Sequence, residues 1–212
     1  MSLTVVIPVY NEEENLQPLA RTLMEVLAGQ PAFTILFVDD GSGDGSLALL
    51  KKMAAQDTRI AYLSLSRNFG HQAALRAGLE VAQGDCVVTM DGDFQHPPEL
   101  IPSMIEAYRK GFDIVATRRL DAVPDGGKGL APGKRLGSRL FYALMKVLGD
   151  VKIEPGSADF RLLSRRAVKA LLSMPERTLF LRGAVPWIGF PSTELSYRPG
   201  NRRSGSSKYS FS

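Results

Sequence analysis

Thr34-Ile35-Leu36-Phe37-Val38-Asp39-Asp40-Gly41-Ser42-Gly43-Asp44 carries the decisive pattern of this 212-residue chain. An apolar run with little polar alternation reads as a strand buried on both faces. It breaks at two carboxylates and a glycine-rich turn. A helical pattern follows over 46–55. The same alternation recurs on either side. Strand-like runs rich in Val, Ile and Leu occupy 3–7, 60–65, 86–90 and 114–117, and helical patterns occupy 12–27, 72–82 and 98–110. In the first helix Asn11 is the expected N-cap, with Glu14 three residues later and Leu16, Leu19 and Leu23 at helical spacing. Pro97-Pro98 opens the fourth, where a missing N–H costs nothing. Strands alternating with helices predict an α/β fold with an open, mostly parallel central sheet and flanking helices.

In such sheets ligands bind beyond the carboxyl ends of the strands. Those ends read Pro8-Val9-Tyr10-Asn11-Glu12, Asp39-Asp40-Gly41-Ser42, Ser66-Arg67-Asn68 and Asp91-Gly92-Asp93, so carboxylates collect at one edge. Asp91 and Asp93 repel each other unless a cation sits between them, and with Gln95 they offer oxygen ligands suited to Mg²⁺ or Mn²⁺ on a diphosphate. The alternative is a solvated Asp-Gly turn. Asp39 and Asp40 are suited to accept hydrogen bonds from a nucleobase or ribose. The alternative there is an ordinary turn with Asp44 or Ser46 as helix cap.

Several chemistries are excluded. A dinucleotide fingerprint starting at Gly41 would need glycine at Ser46, and a phosphate-binding P-loop ending at Gly133-Lys134 would need glycine at Lys128. His71 and His96 are the only histidines and lie far apart in sequence, which argues against a His-rich metal site; His96 reads as a turn or packing residue. The single cysteine, Cys86, forbids an intrachain disulfide and reads as a core thiol. No RNP-like aromatic motif, zinc knuckle or helix-turn-helix pattern points to nucleic acid.

The charge is split. Residues 1–117 hold 15 acids against 8 bases, and residues 118–212 hold 7 acids against 18 bases, for a net charge of +4. The basic half suits phosphate capture through Arg118-Arg119, Lys134-Arg135, Arg139 and Arg202-Arg203, or is simply a solvated face. Residues 121–133 have no apolar period and read as a mobile loop. A basic amphipathic helix is expected over 134–148, fitted either to a membrane interface or to the domain's own core. A strand over 158–163, a helix over 164–172 and a last strand over 192–197 follow. The tail 198–212 has four bases and no acids and is expected to order only with a partner. The longest uncharged stretch, 26–38, is far below the ~20 apolar residues of a spanning helix. No basic region precedes the first strand to mark a secretory signal.

Six segments stand in order along the chain: Pro8-x-Tyr10-Asn11-Glu12, Val38-Asp39-Asp40-Gly41-Ser42, Arg67-Asn68-Phe69-Gly70, Asp91-x-Asp93-x-Gln95-His96-Pro97-Pro98-Glu99, Ala158-Asp159-Phe160-Arg161-Leu162 and Arg202-x-x-Gly205-x-Ser207-Lys208-Tyr209. Taken together they resemble family 2 glycosyltransferases of the polyprenyl-phosphate subgroup, the dolichol-phosphate mannose synthases and bacterial undecaprenyl-phosphate glycosyltransferases. Phe180-Leu181-Arg182-Gly183 followed by Trp187-Ile188-Gly189-Phe190 resembles the bacterial branch.

The resemblance implies a GT-A fold and inverting transfer of a hexose from a UDP- or GDP-linked sugar to a polyprenyl phosphate at the cytoplasmic face of the membrane. It implies Pro8, Tyr10, Asn11, Glu12, Asp39, Asp40 and Asp91 around the nucleotide, with Mg²⁺ or Mn²⁺ on Asp91, Asp93 and Gln95. Arg118, Lys134, Arg135, Ser138, Arg202 and Lys208 would take the acceptor phosphate, and Asp93, Asp159 and Arg118 would surround the reaction centre. Asp159 is expected to orient sugar or arginine rather than abstract a proton. The implied organisation is a GT-A domain over 1–197 (nucleotide half 1–117, acceptor half 118–197) and a basic juxtamembrane tail over 198–212, peripheral at an anionic membrane surface. Bacterial-branch members continue past the Ser-Lys-Tyr motif into two transmembrane helices, whereas this sequence stops at Ser212. A longer parent protein and a short surface-anchored form both fit. A family 2 transferase with a saccharide acceptor is the alternative, but it would lack the basic tail motif.

Overall fold

A computed structural model describes residues 1–120, 158–176 and 180–200. The predicted loop 121–133, the amphipathic helix 134–148 and the tail beyond residue 200 lie outside the described residues. The elements run β1 (Ser2–Val9), α1 (Glu13–Val26), β2 (Ala32–Asp39), α2 (Ser46–Gln56), β3 (Ile60–Ser64), α3 (His71–Val81), β4 (Cys86–Thr89), a 3₁₀ turn (Pro98–Leu100), α4 (Ile101–Arg109), β5 (Ile114–Arg119), β6 (Arg161–Ser164), α5 (Arg165–Leu172), α6 (Leu181–Trp187) and β7 (Ser192–Tyr197). Seven strands form one sheet in the order β3-β2-β1-β4-β6-β5-β7. β1, β2, β3 and β4 pair in parallel, as do β5 and β7, and β6 runs antiparallel between β4 and β5. The expected mostly parallel sheet with flanking helices is what forms.

Helices cover both faces. Leu16, Leu19, Leu23, Ile101, Met104 and Ile105 pack one face with Val5, Ile7, Phe37 and Val88. Leu75, Leu79, Val168, Leu171 and Val185 pack the other with Val6, Val38 and Val87. The odd and even residues of β1 thus serve opposite layers, which is why that strand shows no polar alternation. The expectation fails for β3, where only Ile60 is buried and Ala61 to Ser64 alternate between half-buried and exposed. It is an edge strand, with a partner on one side only. Cys86 is buried in the core as expected, and burial pushes its thiol up to about 12.

Two local readings are corrected. Asn11 does not cap α1. Its φ is +54°, and its side-chain oxygen accepts the Gly43 N–H at 2.7 Å, so it ties the first carboxyl-end loop to the second. The residue at the cap position is Glu12, which accepts from the Asn15 amide at 2.5 Å. The fourth helix begins as a 3₁₀ turn and becomes α-helical only at Ile101. For α2, Asp44 does accept the Ser46 N–H at 2.9 Å, although Gly45 holds the cap position.

The antiparallel β6 explains the site. Because it opposes β4, its entry lies beside the exit of β4, with Thr89 paired to Arg161. Asp159, just before β6, therefore comes to the same edge as Asp91, just after β4. Thr89 Oγ1 donates to the Asp159 carbonyl and Thr117 Oγ1 to the Phe160 carbonyl, each at 2.6 Å, which fixes that entry.

Candidate active site

The nucleotide-side loops are stitched to one another. Ser42 Oγ accepts the Asn11 N–H and Ser46 Oγ accepts the Glu12 N–H, both at 3.0 Å. Asp39 is buried and accepts the Ser42 N–H at 3.3 Å. Asp40 is fully buried and divides its oxygens between the Phe69 and Gly70 N–H groups, at 2.7 and 2.9 Å. Burial raises its carboxyl above the ordinary value against those two hydrogen bonds. Gly41, at φ +69°, lets the second loop pass against the backbone of Arg67 and Asn68; a Cβ there would lie 2.7 Å from Asn68 N.

Asp40 thereby sets the start of α3. Its first residue, His71, places Nε2 2.7 Å from Asp91 Oδ1. On the other side of Asp91, His96 Nδ1 accepts the Asp91 N–H at 2.9 Å, and its Nε2 lies 3.6 Å from Asp91 Oδ2. His96 stacks on Phe160 with centroids 5.1 Å apart, so it packs as expected. The two histidines, 25 positions apart in sequence, both close on one carboxylate. Burial opposes ionisation of Asp91, yet His96 and His71 together hold its carboxyl well below the usual range. Burial also opposes protonation of His71, but the hydrogen bond and charge of Asp91 outweigh it and raise the imidazole. Burial lowers His96.

Asp93 Oδ1 accepts the Gln95 N–H at 3.1 Å, and Phe94 between them takes φ +64°. Gln95 Oε1 accepts from Arg119 at 2.9 Å. Arg119 thus reaches this loop. Its neighbour Arg118, on the other side of the β5 pleat, pairs with Glu194 of β7 at 3.0 Å. The chain leaving β7 passes over the same loop, with the Gly200 N–H donating to the Gln95 carbonyl at 3.3 Å. Lys134, Arg135, Ser138, Arg202 and Lys208, expected at the acceptor phosphate, lie outside the described residues.

Asp159 is 2% exposed and heavily engaged. Arg161 Nη2 donates to Oδ1 at 2.9 Å. Arg182 donates to Oδ2 through Nε and Nη2, at 3.1 and 2.9 Å, and Gln72 adds an amide N–H at 3.2 Å. His71, Gln72, Arg161 and Arg182 were not singled out for roles from sequence, and Arg119 was read there only as part of a basic pair suited to phosphate capture or a solvated face. For the first two, their place at the start of a helix on the carboxyl edge was an available signal.

Asp91, Asp93 and Gln95 offer two carboxylates and an amide oxygen, the hard donors that Mg²⁺ and Mn²⁺ take. Among the described residues no group of three or more His, Cys, Asp or Glu side chains forms a complete metal site. One or two carboxylates with substrate phosphates completing the shell is the usual Mg²⁺ arrangement, so the donor set fits.

An open α/β sheet with an Asp-x-Asp loop and a second anchored carboxylate at its carboxyl edge defines the GT-A class of nucleotide-sugar transferase folds. Its solved neighbours carry that fold. One is glucosyl-3-phosphoglycerate synthase of Mycobacterium tuberculosis in complex with Mn²⁺, UDP and phosphoglyceric acid (TM-score 0.62, 20% identity, 96% of this chain and 72% of that one). Another is the mannosyltransferase PcManGT of Pyrobaculum calidifontis in complex with GDP-Man and Mn²⁺ (TM-score 0.61, 17% identity, 92% and 54%). The chain belongs to glycosyl transferase family 2, whose model matches residues 4–172. It is 38% identical to an uncharacterised glycosyltransferase of Synechocystis sp. over 213 residues, covering 100% of this chain and 65% of that protein. It is 37% identical to the bactoprenol glucosyl transferase of Shigella phage SfV over 210 residues, covering 99% and 67%. A putative glycosyltransferase of Bacillus subtilis is 38% identical over 211 residues, covering 99% of this chain and 62% of that protein. The chain thus spans about two thirds of the length of these relatives. Among the described residues no helix is long and apolar enough to cross a membrane.

Proposed function

We propose that this chain transfers a hexose from a nucleotide sugar to a polyprenyl phosphate, with inversion, at the cytoplasmic membrane face. The observation that carries the reading is the bonding of Asp159. Both oxygens of that carboxylate are occupied by two guanidiniums and an amide, so a role as base would first have to break those charge-assisted bonds. Such a site suits an acceptor that needs no base. A phosphate monoester is one, being largely dianionic near neutral pH with a second pKa of about 6. Its oxygen attacks the anomeric carbon, and the bond from that carbon to the diphosphate breaks. Glycosyl polyprenyl phosphate and nucleoside diphosphate leave, and no proton moves. The bactoprenol glucosyl transferase relatives support the same acceptor class.

On this reading Pro8, Tyr10, Asn11, Glu12, Asp39 and Asp40 line the nucleotide. Asp91, Asp93 and Gln95 hold Mg²⁺ or Mn²⁺, which when bound stabilises charge on the leaving diphosphate. Arg118 and the basic residues beyond the described segments meet the acceptor. Asp159 orients arginine. The test is transfer from UDP-glucose and from GDP-mannose to undecaprenyl phosphate, with and without Mn²⁺. Mn²⁺-dependent formation of a lipid-extractable product from one donor is expected. Metal-independent transfer, or transfer only to free saccharides, would overturn the assignment.

A further inference from the structure

Asp159 meets more positive charge than its own neutralisation requires. Arg161 is 5% exposed and already bonds Oδ1, and its remaining donors include bonds to the Ala158 and Leu181 carbonyls at 2.8 and 3.2 Å. The second guanidinium, Arg182, has a side chain 44% exposed. A partly solvated partner adds little stability to a carboxylate that is already paired, because water screens it. What the second pair does is fix direction. Two nitrogens of Arg182 are pinned on Oδ2, which leaves its guanidinium plane little freedom. Gln72 fixes the backbone as well. Its Oε1 accepts the Leu181 N–H at 3.2 Å while its Nε2 donates to Asp159 Oδ2, so one amide holds both the residue before Arg182 and the carboxylate that aims it. The Asp159 Oδ2 that Arg182 holds lies 3.9 Å from His71 Nδ1, and His71 Nε2 lies 2.7 Å from Asp91 Oδ1, which places Arg182 beside the Asp-x-Asp loop.

From this convergence we infer that Arg182 is a phosphate-binding residue, held by Asp159 and Gln72 so that its guanidinium takes a phosphate oxyanion at the carboxyl edge. The planar fork of arginine suits that ligand better than a point charge. Asp159 and Gln72 are then positioning residues. The inference rests on the proposed function, which brings a diphosphate and a phosphate monoester to this edge. The shared chemistry is the phosphate oxyanion, and the experiment separates its two sources.

The full chain is titrated with UDP and GDP in the presence of Mn²⁺, and with uridine and guanosine as phosphate-free controls. The KM for undecaprenyl phosphate is measured beside it. Arg182→Ala and Arg182→Met are compared with the native chain; the methionine keeps an apolar stem on α6 if alanine perturbs folding. Loss of a charged hydrogen-bond donor predicts a weakening of about 10- to 100-fold. In the donor arm it falls on the diphosphate Kd and spares the nucleoside. In the acceptor arm it falls on the KM for the lipid phosphate. Gln72→Ala should give a smaller loss in the same arm. Unchanged constants in both arms would overturn the inference alone. So would equal loss for nucleoside and diphosphate, since that marks a structural role. A native chain that bound neither nucleotide would overturn the functional reading, and this inference with it.

Discussion

His71 Nε2 sits 2.7 Å from Asp91 Oδ1, joining the first residue of α3 to the loop after β4. Asp40 sets that contact from a third element by holding the Phe69 and Gly70 N–H groups just ahead of the helix. An outer hydrogen bond of this kind orients a ligating carboxylate and tunes its donor strength. His71→Phe keeps a ring of similar bulk and removes the donor. Mn²⁺ affinity in the presence of nucleotide is expected to fall about 10-fold or more. Calorimetric titration of Mn²⁺ checks this; an unchanged affinity would mean that Asp91 needs no such partner.

Asp159→Asn tests the anchored carboxylate. Asparagine offers one oxygen where two guanidiniums and an amide now bond, and it turns an N–H₂ toward a donor. Arg161 is left buried without its counter-charge, a loss on the order of 3 kcal/mol of stability. A lower thermal midpoint and a kcat reduced about 100-fold or more are expected, because the guanidinium proposed to align a phosphate during hexose transfer loses its anchor. The pH–rate profile separates the roles. With an orienting carboxylate the profile keeps its shape and raising the pH restores nothing. A limb present in the native enzyme and missing in Asp159→Asn would identify a base instead.

The sheet was legible in the sequence because β1, β2 and β4 are buried on both faces and their apolar runs end abruptly in carboxylates. β3 was misread for a local reason: Leu63 and Leu65 make an edge strand look continuous. The place of the Asp-x-Asp loop at the carboxyl edge was legible for the same cause, since Asp91 and Asp93 closely follow a strand. The ring of groups around it was not. His71, Gln72, Arg161 and Arg182 reach Asp91 and Asp159 across as many as 87 positions, and only the antiparallel insertion of β6 beside β4 brings them together. Arg118 and Arg119 are neighbours of equal chemistry. Strand alternation alone decides which one meets Gln95, and a single residue of register would reverse it. Asn11 read as a cap because its type favours caps. Its left-handed backbone and its bond to Gly43 depend on a loop 32 residues away.

Gly78→Ala tests how tightly α3 rides on the sheet. Alanine raises intrinsic helix propensity by about 1 kcal/mol. Here its Cβ would collide with Val6 Cγ1 and approach Val38 Cγ2 to 2.9 Å. Both are stiff, β-branched and fully buried, so the helix must lift from β1 and β2. Overpacking costs about 1–3 kcal/mol and should exceed the propensity gain. A lower midpoint in urea is expected. A raised one would show that α3 has slack against the sheet, which would weaken the case for α3 as the element that sets His71 and Gln72.

Acid should expose a different ion pair, far from the reaction centre. Asp113, before β5, is 4% exposed; it accepts Ser164 Oγ at 2.6 Å and both Nε and Nη2 of Arg166, the former at 2.5 Å. The Arg166 hydrogen bond lowers its carboxyl below the ordinary value, against burial and with help from Ser164. A carboxylate depressed on folding releases its proton more readily in the native state than in the unfolded one. Its stabilisation is therefore complete above the unfolded value of about 3.9 and fades as pH falls through the folded one. Asp113→Asn should then be less stable than the native chain at pH 6, with the gap narrowing steadily below pH 4. Urea midpoints of the two proteins between pH 6 and pH 2.5 measure that gap. A constant difference across the range would mean that the pair contributes through packing of Ser164 and β6 rather than through its charge.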